Sequence, residues 1–218
     1  MATISERAAV IWRELAARFV ARNNEGPIDT IAGLEDFAAT RSAFVAQKKL
    51  YGYLKTRMGT SYRTMFENDV FIQSVNIAKM HVYAACLSDL TIHCVAKALS
   101  GHAITTADRE RTATSCYRSG IEQNADHAPS QEAVAEWLAA FDKRLGTIHW
   151  ENAAATGDVF ELSPKALVKW APIANELKKY DAEIVLNSVR FAWNEVRTDF
   201  RTRLDAEAIQ DEIEVDRP

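Results

Sequence analysis

One unbroken stretch limits what this chain can fold into. From Asn68 to Gly101 it reads NDVFIQSVNIAKMHVYAACLSDLTIHCVAKALSG, with no proline, and with no glycine before Gly101 itself. Asn68 or Asp69 is suited to cap the start of a helix, and Gly101 to end it. A helix over Val70–Leu99 would be about 45 Å long at ~1.5 Å per residue. A compact chain of this length has a radius of gyration of roughly 17 Å, so such a helix crosses the whole molecule. Its apolar residues, among them Phe71, Val75, Met80, Val82, Leu87, Leu90, Ile92 and Val95, lie nearly all round the helix rather than in one stripe. That pattern predicts a central helix wrapped by others.

The rest of the chain fits this frame. It has only 8 Gly and 5 Pro, so turns are few, and 48% hydrophobic residues supply a core. A helix is expected from Ser5 to about Arg22, then a break at Asn23–Pro27. A second helix runs from near Ile28 or Leu34 to Met58. Beyond Gly101, Thr105 or Thr106 and Ser130 each open a helix, and Ser163-Pro164 reads as an N-cap followed by proline at the first helical position. A last long helix begins near Asp181, with Val185, Val189, Ala192, Val196 and Phe200 on one face. The expectation is all-α: about seven helices in orthogonal or bundle-like packing, forming one domain over residues 1–204. Residues 205–218, rich in Asp and Glu, are expected as a flexible acidic tail.

The three cysteines, Cys86, Cys94 and Cys116, form no disulfide framework. Charged residues at Glu6, Arg7, Arg13 and Glu14 interrupt any signal-peptide core. Lys79, His81, Asp89, His93 and Lys97 likewise interrupt the central helix as a membrane span. A cytoplasmic protein without a membrane span is expected.

Two clusters are candidates for function. Between Phe37 and Phe66 lie Arg41, Lys48, Lys49, Lys55, Arg57 and Arg63, with no acid, interleaved with aromatics including Tyr51. Cations beside rings suit an acidic protein partner, or phosphates and bases. A net charge of −4 makes nucleic acid the weaker alternative. The acidic tail is a further candidate to lie on this stretch. Val45, Leu50 and Tyr51 resemble the end of the recognition helix in TetR-type repressors. The glycine and serine turn that precedes that helix is replaced here by Ala46-Gln47-Lys48-Lys49, so the chain is not assigned to that family.

The second cluster is His81, Asp89 and His93 on the central helix, where Asp89, His93 and Lys97 are four apart. A carboxylate and an imidazole at that spacing form an ion pair, or hold a ligand or metal if a second helix completes the set. No His-Glu-x-x-His or Glu-x-x-His motif is present, so no metal or other cofactor is assigned. The sequence carries no nucleophile elbow and no phosphate-binding glycine loop, and no reaction is assigned. Trp193, in a helix with Arg190, Arg197, Arg201 and Arg203, marks a candidate dimer face. The favoured expectation is a non-enzymatic helical interaction or regulatory protein, homodimeric, that binds a protein partner through the basic-aromatic stretch. The alternative is a ligand- or metal-binding helical protein, an enzyme included, with its site on the central helix.

Overall fold

The long apolar stretch is a single helix running from Asp69 to Ala98, capped by the Asn68 side chain, which accepts from the Phe71 N–H at 3.1 Å. In a computed structural model, residues 26–101, 104–156 and 158–215 are described, except for the side chain of Arg63. The expected helix over Ser5–Arg22 lies outside the described residues, as does His102. Eight helices are present among the described residues: α1 (Ile31–Met58), α2 (Asp69–Ala98), α3 (Thr106–Glu122), α4 (Gln131–Leu145), α5 (Trp150–Ala155), α6 (Leu162–Trp170), α7 (Asn175–Arg203) and α8 (Ala206–Val215). A single helical turn, Tyr62–Met65, joins α1 to α2. The described residues hold no β-strand, and the all-α expectation is met.

Local chemistry explains most of these ends. Thr30 caps α1 by accepting from the Gly33 N–H at 3.1 Å. Gly59 ends α1 with φ 54°, a conformation that costs a glycine little. Thr105 and Asp108 form a reciprocal capping box on α3, and Ser130 caps α4. Helix α7 starts at Asn175, six residues before the expected Asp181, directly after the bend at Ala171–Ala174.

Helix α2 packs against α1, α3, α5, α6 and α8. Between Val82 and Ala96 only Ala85 is not buried. The first third is one-sided instead: Val70 is 73% exposed while Phe71 is buried in edge-to-face contact with Phe66. By length and composition α2 is the one helix among the described residues that passes for a membrane span, yet half of its most apolar window is covered by the protein's own helices.

The frayed acidic tail is replaced by a helix. In α8, Ile209 and Ile213 are buried, four residues apart on one face. Gln210 donates to the Ala98 carbonyl at 2.7 Å, and Glu212 accepts from the Ile31 N–H at 2.8 Å. The two side chains thus satisfy backbone groups left open at the end of α2 and the start of α1. The acidic segment therefore docks on helix ends and not on the basic stretch. Next to it, Ile28 pairs with Arg203 and Asp205 through two backbone hydrogen bonds, which ties the entry of α1 to the exit of α7.

Candidate anion-binding pocket

A buried polar network links α7 to α2 by way of α6. Asp89, fully buried on α2, accepts from Arg144 of α4 at 2.8 Å. It also accepts from the Ser163 N–H at 2.8 Å and the Ser163 hydroxyl at 2.7 Å. Ser163 in turn accepts from Trp193 Nε1 of α7 at 2.9 Å. Arg144 spends its other donors on Ser88 and on the Val159 carbonyl. Burial pushes the Asp89 pKa up, while Arg144 and the two Ser163 bonds pull it down. The expected N-cap role of Ser163 is thereby corrected: α6 begins at Leu162, and Ser163 sits inside it, bonded to Asp89. Trp193, read as a candidate dimer face, is 1% exposed and stacks on Phe160 at 4.9 Å.

One turn beyond Asp89 the same two helices line a pocket of about 330 Å³. Helix α2 contributes His93 and Lys97, four residues apart; α7 contributes Asn194, Arg197, Thr198 and Arg201, with Phe200 and Leu204. No carboxylate among the described residues lies within ion-pairing distance of Lys97, Arg197 or Arg201. Arg197 sits over the Phe160 ring at 5.9 Å, and Arg201 has only a 3.5 Å contact to Thr198. His93 is 2% exposed, between the rings of Phe160 and Phe200, and its Nδ1 has no hydrogen-bond partner. Its pKa falls from 6.5 to about 4, chiefly through burial and then through Arg197. A hydrogen bond to the Ala153 backbone opposes this, and Lys97 and Arg201 reinforce it. The pocket thus gathers three cations around a neutral imidazole. Removing those cations from acidic partners leaves their field directed at whatever enters the pocket.

The basic-aromatic stretch takes a different role. Arg41 forms an ion pair with Asp199 at 2.8 Å, Lys49 donates to Ser188 at 3.0 Å, and Arg57 reaches Asp181 at 3.5 Å and the Leu177 carbonyl at 3.2 Å. These three cations clamp α1 to α7. Tyr51 is in the core, against Phe66. Lys48 lies over the exposed Phe44 ring, Lys55 is exposed, and the Arg63 side chain lies outside the described residues.

The three central-helix candidates do not converge. His81 stacks on Trp170 at 3.4 Å and accepts from Trp137 Nε1 at 3.2 Å, which fixes it at the α2–α4–α6 junction. Asp89 pairs with Arg144 instead of His93. No group of three His, Cys, Asp or Glu suited to a metal is found among the described residues. His93 alone reaches a pocket, and its companions there, Lys97, Arg197 and Arg201, were not placed in that site from sequence. The available signal was their spacing: neither Lys97 nor Arg197 has an acid three or four residues away on its own helix, where helix-surface cations commonly find one. Cys116, flanked in sequence by arginines, is buried, and burial pushes its pKa up, so it is an inert core thiol.

Compared with known proteins, the chain matches no protein family, no curated protein and no solved structure.

Proposed function

We propose that this is a helical binding protein whose ligand is a small anion held between α2 and α7. One observation carries the reading: Lys97, Arg197 and Arg201 converge on a pocket without a carboxylate among the described residues to neutralise them. Arginine forks match phosphate and carboxylate oxygens two at a time, and Lys97 adds a point charge. Phe200 and Leu204 lower the local polarity and strengthen each of these interactions. The basic-aromatic stretch supports a protein partner less well, because Arg41, Lys49 and Arg57 are engaged by α7. Three free, buried cysteines fit the proposed cytoplasmic location.

Calorimetric titration of the full chain with inorganic phosphate tests the proposal. Saturable one-site binding is expected, weakened about tenfold or more by Lys97→Gln or Arg201→Gln, since each removes a charge-assisted contact. An absence of saturable heat, or variants that bind as the parent does, would contradict it.

The homodimer is supported by a different surface from the one expected. Leu177, Tyr180 and Ile184 of α7 are 44%, 81% and 71% exposed. Leu177 and Ile184 are seven apart with Tyr180 between them, the repeat a second helix packs against. An antiparallel copy sets Leu177 on Ile184 at both ends and Tyr180 beside its own counterpart, which leaves Phe191 outside the contact. The stripe is therefore self-complementary, which favours a second copy over an unrelated partner. Sedimentation should give a dimer that Ile184→Glu dissociates; a monomeric parent protein would overturn this reading.

A further inference from the structure

Beside the cationic pocket runs a second depression of about 480 Å³, bounded by α7 and the turn at residues 158–161. The two share Asn194 and Arg197, so one molecule can occupy both by passing Arg197. Their chemistry differs. The pocket end is purely cationic. The trough sets Arg190 against Asp158 and Glu161, and Glu161 also pairs with Lys165 at 2.8 Å, so its charges balance without Arg197. Its inner wall is the Phe160–Trp193 stack, and its outer edge is the largely exposed ring of Phe191. Asn187 and Asn194 add amides; the Asn187 oxygen accepts from Arg190 at 3.1 Å, which turns its NH₂ toward other acceptors.

Resting on the anion-binding reading above, we infer that the ligand is a phosphate monoester whose organic part carries a planar ring, with the phosphate among Lys97, Arg197 and Arg201 and the ring in the trough against Phe191. The number of cations selects phosphate. A monoester carries about −1.5 to −2 charges at neutral pH and three acceptor oxygens, which three cationic groups match, whereas a carboxylate would leave cations in surplus. The balanced charge of the trough leaves it no preference for a second anionic group, while an aromatic edge with amides beside it suits a flat, hydrogen-bonding ring. A nucleoside monophosphate has both parts.

The test compares inorganic phosphate, phenyl phosphate, adenosine monophosphate and adenosine by calorimetry on the full chain. A ring on an aromatic side chain adds about tenfold or more in affinity. Phenyl phosphate or the nucleotide should therefore bind at least that much more tightly than inorganic phosphate, and adenosine weakly. Phe191→Leu keeps an exposed apolar side chain but removes the ring. It should bring the ring-bearing phosphates to within about twofold of inorganic phosphate and leave inorganic phosphate unchanged. Equal affinity for all three phosphates would overturn this inference while leaving the anion-binding reading intact. Failure of every phosphate to bind would overturn both.

Discussion

His93 shows how position can reverse a residue's expected role. On the central helix it stands four residues after Asp89, which suggests an ion pair, yet Asp89 is taken by Arg144 and His93 is left neutral among cations. Its protonation links to stability with a definite sign. The folded pKa of about 4 lies below the unfolded value of 6.5, so the unfolded chain binds more protons between those values. The stability contributed by burying the neutral ring is complete above about pH 6.5 and is lost as pH falls toward 4. By this linkage the loss reaches up to roughly 3 kcal/mol. His93→Gln removes the titrating group, and urea unfolding across this range should show a correspondingly shallower decline for the variant. Parallel pH profiles for the two proteins would refute the assignment.

Among the elements, the decisive joint is Asp89, which connects α2 to α4 through Arg144, to α6 through Ser163 and, one hydrogen bond further, to α7 through Trp193. Asp89→Ala leaves the Arg144 guanidinium, 16% exposed, without its carboxylate, and should cost about 3–5 kcal/mol in chemical denaturation. A loss under about 1 kcal/mol, as for a surface pair, would show that the joint is not structural. Little of this joint was legible in the sequence. Helix α2 announced itself because the absence of glycine and proline and the all-round apolar pattern are local properties. Asn68, Thr105 and Ser130 were likewise readable as caps, since a cap needs only its next three residues. Arg144 is 55 residues from Asp89, and a guanidinium that also bonds Ser88 and Val159 outcompetes an imidazole one turn away. Ser163 satisfied the local rule for a cap but was claimed by the same carboxylate. In α8 the acidic composition hid two isoleucines at helical spacing, which are enough to dock a short helix.

Over the molecule as a whole, each face of α7 has different surroundings. Val185, Val189, Trp193, Val196 and Phe200 enter the core. Asp199 and Asp181 pair with Arg41 and Arg57 of α1, and Ser188 accepts from Lys49. Leu177, Tyr180, Ile184 and Phe191 stay exposed, and Arg197 and Arg201 face Lys97 and His93 across the pocket. A chain of net charge −4 thus spends Arg41, Lys49 and Arg57 of α1 internally and keeps a small set of cations together at one opening. Of the central-helix candidates in the sequence reading, His93 lines this pocket, and its neighbours there come from α7, about a hundred residues along the chain. The most direct measurement is an NMR titration of the His93 ring with and without inorganic phosphate at fixed ionic strength. An anion seated among Lys97, Arg197 and Arg201 offsets the charges that help hold the imidazole neutral, so its pKa should rise from about 4 as phosphate saturates the pocket. A titration curve that phosphate leaves unmoved would contradict the account.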